Sequence, residues 1–456
     1  MSDQTPSVPS GRGGQSALNT LRQAWLAVPR AALGNLLAKL LIVALGLSIT
    51  VLVARLGPKV QGAFALFVAV ESGLLTLFTG LGLWLARQVS RQEAGEKGAT
   101  TRMLRSVLQW SVGLGLAAAL GLLAVSWWAD RMPYAQLWLL ALAAPFLLLV
   151  PTATGLWLGQ GRMWPLNLAQ VAAPASVLSG LAVVGWLTQG AAVRTPSVVL
   201  VLIAWVSGKS LVAVLTAIYA LHDSVRRDEG REDAGLITGA PSPKWRHEWR
   251  FVLTIGITNV VSLLNYRASL FLVEHFKGLS EVGTYSVAVT VAELLWLLSS
   301  SVTVSAYSRI GNPDRGVASS MTVQAVRINV LATLLAAPVL LVLAWWGLPR
   351  LMGPAYAASV WPLAALLPGV AAYAAASSLS AFYTNHLGKP QLSGSIAGLS
   401  LLISFSAGCV LVPWLGALGA GIASSLGYSL AIVAAYGVFL RHAGLPLRAL
   451  WSSQAP

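Results

Sequence analysis

Five ionisable side chains sit inside otherwise apolar stretches of this sequence. They are Lys39 in ALGNLLAKLLIVALGL, Glu71 in FALFVAVESGLLTLF, Lys209 in AWVSGKSLVAVL, Arg267 in TNVVSLLNYRASLFLVEHF and Glu293 in EVGTYSVAVTVAELLWLL. A lysine in such a place can meet a phosphate as a point charge, and an arginine can grip one bidentately. Asn265, two residues before Arg267, adds a neutral hydrogen-bonding group. The carboxylates admit two roles. A desolvated Glu can take up and release a proton as a site opens to one side and then the other, or it can simply neutralise Lys39 and Arg267. The sequence leaves both open. No nucleophile elbow, phosphate-cradling Gly-rich loop or dinucleotide turn appears, so no catalytic residue and no cofactor is expected. The five histidines lie in loops or at the ends of apolar runs, without metal-ligand spacing.

The elements that must position these residues follow from composition. The chain has 456 residues, 56% hydrophobic and 10% charged, with a mean hydropathy of +0.72. That leaves too little polar surface to cover a soluble globule of this size. Apolar runs long enough to cross ~30 Å of hydrocarbon recur from about residue 33, and they are too continuous for barrel strands. The expectation is an all-α polytopic membrane protein of about twelve transmembrane helices. The predicted spans are 33–54, 62–85, 107–128, 134–158, 166–187, 197–220, 251–273, 282–305, 327–346, 357–383, 391–412 and 416–440. A charge at mid-bilayer costs at least ~2.5 kcal/mol, so the five buried charges should face a cavity or one another.

Lysines and arginines set the orientation. Placing both termini in the cytoplasm gathers Arg87, Arg91, Lys97, Arg102 and Arg105, and then Arg226 to Arg250, on that side. The other side receives Arg55, Lys59, Arg131, Arg194, Lys277 and Arg350. The net charge of +15 is spread over short connections, which points to topology and lipid headgroups and not to nucleic acid. Many of the 18 tryptophans fall near span ends, as an interfacial belt requires. The single cysteine, Cys409, excludes an intramolecular disulfide.

The polar interval 222–250 divides the chain. Residues 1–32 form an N-terminal segment, 33–221 an N-lobe of six helices, 222–250 a linker, 251–440 a C-lobe of six helices and 441–456 a tail. Shifting the sequence by 221 positions brings Gly57 onto Gly278, Gly62 onto Gly283, Phe64 onto Tyr285, Val68 onto Val289 and Val70 onto Val291. Glu71 then falls one residue from Glu293. Six spans per half make this a parallel repeat about an axis along the membrane normal, a plan on which carriers rock around a central site. Gly283 is expected to make the turn into the second helix of its half.

The stretch RLGPKVQGAFALFVAVESGLL resembles the one that follows the first helix of polysaccharide and O-antigen flippases. Later stretches resemble the same family. FKGLSEVGTYSVAVTVAELLWLLSSSVTVSAYSRIG is similar to its eighth helix, and LPRLMGPAYAASVWPLAALLPGVAAYAAASSLSAFYTNHLGKPQ to its tenth helix and Gly-Lys-Pro turn. VPWLGALGAGIASSLGYSLAIVAAYGVFLRHAG is similar to its last helix. The resemblance covers roughly 33–445. It implies the multidrug, oligosaccharidyl-lipid and polysaccharide exporter superfamily, with two pseudo-symmetric six-helix lobes around a central cavity.

The branch resembled moves polyprenyl-diphosphate-linked oligosaccharide from the cytoplasmic to the periplasmic leaflet of the bacterial inner membrane, by alternating access. Its partners would be that lipid-linked cargo, membrane lipids and a polysaccharide polymerase or export machinery. On this reading Lys39, Arg267, Lys209 and Asn265 bind substrate, while Glu71 and Glu293 pair with bases or couple an ion. Flippases of this kind often carry a basic residue at the position of Lys39. The competing expectations are a drug or cation antiporter of the same superfamily, a membrane glycan polymerase or glycosyltransferase, and a non-transporting member of an assembly complex.

Overall fold

The computed structural model describes residues 30–91, 98–189, 197–229 and 245–446. Within them, eleven helical stretches are long and apolar enough to cross a membrane, which makes the chain a multi-pass membrane protein. In order they are α1 (Arg30–Ala54), α2 (Pro58–Arg91), α3 (Ala99–Trp128), α4 (Tyr134–Gly159), α5 (Met163–Gln189), α6 (Val198–Glu229), α7 (Trp245–Lys277), α8 (Leu279–Tyr307), α9 (Arg315–Met352), α10 (Pro354–His386) and Pro390–Ala443. The last is 54 residues long, but Gly416 interrupts it at φ 57° and ψ −132°. It is therefore two helices, α11 (390–415) and α12 (417–443), and the described spans number twelve, as hydropathy predicts.

Helices α1–α6 and α7–α12 form two lobes whose cores touch where they meet: Ala54, Leu66 and Ala69 join the C-lobe cluster, and Val252 of α7 joins an N-lobe cluster. The N-lobe core has two clusters, one around Val53, Phe67, Leu140 and Leu202 and the other around Trp84, Leu104, Leu156 and Trp157. The C-lobe is built on Tyr285, Leu363, Phe382 and Phe439. Large apolar side chains such as Leu120, Leu335 and Val433 are exposed on the outer faces, where lipid would cover them. Trp127, Trp128 and Trp414 are exposed at helix ends or connections. Helix α6 continues to Glu229 and α7 begins at Trp245, so both ends of the polar interval 222–250 are helical.

The repeated glycines lie where the lobes meet. Gly57 and Gly278, at φ 111° and 84°, stand immediately before α2 and α8 in the left-handed backbone region that favours glycine. The turn into α8 is thus made by Gly278. Gly283, expected to make it, lies inside the helix because its role is steric. A methyl group on Gly283 would overlap the carbonyl of Pro58, and one on Gly62 would overlap the carbonyl of Leu279. These glycines let the first turns of α2 and α8 cross backbone to backbone. At the other end of α2, Gly80 packs on Val252 and Gly256 packs on Leu77 of α7 and α2 respectively.

Three membrane helices are broken. Helix α4 is interrupted at Leu148 and α8 at Leu294, immediately after Glu293. In α10 the regular helix stops at Tyr373, restarts at Ala376 and ends in a π-helical turn over Phe382–His386. Such breaks free backbone groups and are tolerated in lipid only inside protein or along a cavity.

Candidate functional site

A cavity of about 670 Å³ lies between the two lobes. Helix α1 contributes Ile42, Val43, Gly46 and Thr50, α2 contributes Gln61, Phe64 and Val68, and α5 contributes Gln170 and Pro174. The remaining wall comes from Trp205 and Lys209 of α6, Arg267 of α7, and Ser286, Thr290, Glu293 and Trp296 of α8. Three of the five charges set within apolar runs therefore line one space, and each lobe supplies a base.

Each base is held by a carboxylate of its own lobe. Lys209 Nζ lies 2.7 Å from Glu71 Oε1 and 4.1 Å from the centre of the Trp205 ring. Trp205 Nε1 in turn donates to Glu71 Oε2 at 2.5 Å. Glu71 is 1% exposed, so its charge is carried almost wholly by these two donors. Arg267 Nη1 lies 3.1 Å from Glu293 Oε1, and its Nη2 donates to Oε2 at 3.1 Å, giving the forked geometry of a guanidinium on a carboxylate. Both partners keep about a quarter of their side-chain surface open, 29% and 25%. The second pair is available to a ligand in a way that Glu71 is not.

Two expectations change against this geometry. Glu71 neutralises Lys209 of α6 and not Lys39. Lys209 itself, expected at the substrate, lines the cavity. Asn265 does not reach the cavity. It is 3% exposed inside the C-lobe, where its Nδ2 donates to the Tyr373 hydroxyl at 3.3 Å and its carbonyl accepts from Tyr428 at 3.4 Å. The reason is helical geometry, because two residues from Arg267 is roughly 200° around α7. Lys39 is exposed and lies outside the cavity proper, yet it stands three, four and seven residues before Ile42, Val43 and Gly46. That places it on the cavity-facing stripe of α1, one turn nearer the N-terminus.

Sequence reasoning missed the groups that bridge the lobes at the end away from the termini. Gln61 Nε2 donates to Ser286 Oγ at 3.3 Å across the lobes, beside the Gly62–Gly283 crossing. Arg55 Nε donates to the carbonyl of Leu351 at 2.7 Å, and Tyr134 donates to Glu274 Oε2 at 3.2 Å. Glu281 accepts from the amide of Ala417 at 2.9 Å and so caps α12 where Gly416 breaks the chain. Only the apolar–polar pattern around these residues was visible, and it does not name partners hundreds of positions away.

With the geometry in place, the fold can be compared with solved proteins. The chain is similar to an inward-facing multidrug-resistance MATE family transporter of the MOP superfamily, with TM-score 0.72 and 17% identity over 88% of this chain and 94% of that one. It is similar to the lipid II flippase MurJ in an inward closed conformation, with TM-score 0.72 and 15% identity over 91% and 88%. Against an outward-facing MATE transporter the TM-score is 0.61, with 17% identity over 93% and 96%. No protein-family model and no curated protein sequence matches the chain. The architecture is therefore the two-lobed helical fold of these transporters.

Proposed function

We propose that this protein flips a polyprenyl-diphosphate-linked oligosaccharide from the cytoplasmic to the periplasmic leaflet of the bacterial inner membrane, for surface polysaccharide synthesis, by alternating access. The observation that carries this reading is the placement of Lys209 and Arg267, one from each lobe, on a single cavity whose access side is flanked by Lys39. Both termini are taken as cytoplasmic, in line with the distribution of lysine and arginine, so Lys39 lies at the cytoplasmic end. There its exposed ammonium meets the diphosphate first. Arg267 then exchanges part of its hold on Glu293 for phosphate oxygens, which it can do because the pair is partly open. Glu293 supplies the coupling or balancing group, and Glu71 holds Lys209 in place. The polyprenyl tail stays in lipid outside the lobes. The similarity of fold to the lipid II flippase supports a lipid-linked cargo.

The test is export of surface glycan by a strain lacking the native gene and supplied with variants. Lys39→Ala and Arg267→Ala are expected to reduce export at least tenfold at equal protein level. Full export by both would overturn the reading. A second reading, a drug or cation antiporter, is favoured by the equal number of carboxylates and bases in the two ion pairs. It predicts that cells expressing the protein extrude a cationic dye and that Glu293→Gln abolishes this.

A further inference from the structure

The C-lobe contains a second cavity, of about 460 Å³, that differs in chemistry from the first. It lies between α7, the part of α8 after its break, the broken stretch of α10, and the beginning of α11. None of its lining residues is charged. Half of them carry a hydroxyl, among them Thr258, Ser262, Ser299, Ser300, Ser380 and Ser393. Its aromatic wall is a cluster: Tyr266 and Trp296 have ring centroids 4.8 Å apart, and Tyr373 lies 6.1 Å from Tyr266.

A cluster of serines in a membrane helix ordinarily satisfies itself, and part of this one does. Ser262 donates to the carbonyl of Thr258 at 3.1 Å, Ser300 to that of Leu297 at 3.0 Å, and Ser380 shares a hydrogen bond with Ser393 at 2.9 Å. A hydroxyl that has spent its proton on its own helix still offers lone pairs to a donor. Two groups have no such partner. Ser299 Oγ, on a residue 3% exposed, and Trp296 Nε1 are both buried without a hydrogen bond among the described residues.

Trp296 also lines the central cavity, and Tyr266 adjoins Arg267 in sequence, so α7 and α8 separate the two spaces by little more than an aromatic partition. From this we infer that the C-lobe cavity is a subsite for an uncharged saccharide, whose hydroxyls meet the serines and whose apolar ring face lies on the aromatic wall. The volume falls in the range of ordinary ligand pockets, about 300–1,000 Å³. A charged group would find no counter-ion there, and an apolar one would leave the hydroxyls unmet. The inference rests on the flippase reading for its biological meaning, since the glycan of the cargo would enter this subsite while the diphosphate is held at Arg267.

The full chain in lipid nanodiscs would be tested with maltose and N,N′-diacetylchitobiose as neutral probes and inorganic pyrophosphate as the charged one, read by saturation-transfer NMR. Filling the subsite with Ser262→Leu and Ser300→Leu is expected to reduce saccharide binding more than tenfold and leave pyrophosphate binding intact. Arg267→Ala should do the reverse. If the filled variant does not fold, the reading passes to Ser300→Cys in a Cys409→Ser background, where either disaccharide should slow alkylation at position 300. Saccharide binding unaltered by filling, lost with Arg267→Ala, or absent in the wild type would overturn the subsite. Failure of the flippase reading shows separately, as pyrophosphate binding that is indifferent to Arg267.

Discussion

At the residue scale, the two ion pairs differ in what their loss should cost. Glu71 is 1% exposed, and Lys209 supplies its charge compensation, so Lys209→Met strands a carboxylate away from water. Removing one partner of a buried pair typically costs ~3–5 kcal/mol, whereas replacing both by apolar groups is often close to neutral. Lys209→Met should therefore lower the thermal midpoint of the purified protein markedly, and Lys209→Met with Glu71→Leu should recover most of it. A single variant as stable as wild type would refute the compensation. Arg267→Met leaves Glu293 with a quarter of its surface open, and its stability cost should be well below that of Lys209→Met. All five charges stood out in the sequence because charge inside an apolar run is rare. Who pairs with whom was not legible, since Lys209 lies 138 positions from Glu71 and any of three bases suited the same carboxylate. Asn265 was misplaced for a related reason, because hydropathy marks a helix without saying which of its faces meets the cavity.

At the scale of elements, Gly62 and Gly283 matter through what they lack. A side chain on either would push the first turns of α2 and α8 apart, at a typical overpacking cost of ~1–3 kcal/mol. Gly62→Ala and Gly283→Ala should each loosen the end of the cavity away from the termini. A cysteine in place of Ser286 would then react faster with an aqueous maleimide, while transport falls. Gly113→Ala, where nothing lies within 4 Å, serves as the comparison and should change neither. Equal labelling rates in all three would show that the crossing does not seal the cavity. These glycines were legible as a repeated phrase, but the repeat suggested a turn at Gly283, which the structure assigns to Gly278. The twelve helices were legible because length and hydropathy are local properties. The breaks in α8 and α10 were not, since neither break coincides with a proline or glycine.

At the scale of the whole molecule, Gln61–Ser286, Arg55–Leu351 and Tyr134–Glu274 bridge the lobes at one end, and the proposed alternating access requires those contacts to part. Cysteines at Gln61 and Ser286, in a chain with Cys409 replaced, should cross-link under oxidation. Export in whole cells should stop and should return on reduction. Continued export by the cross-linked protein would mean that this end never opens. The same end rests in turn on a reciprocal contact: Gly62 meets Leu279 and Gly283 meets Pro58, and each member of one pair is the other's counterpart under the 221-residue shift. This is the pattern of an isologous interface, in which a patch meets its own copy in a symmetric homodimer. A covalent join between such copies lifts the constraint that every substitution must appear twice. The carboxylates stand within one residue of paired places, but the bases do not: shifted by the same interval, Arg267 falls on Gly46, which also lines the cavity. A shell with a two-fold contact at one end thus encloses a site whose bases follow no such symmetry.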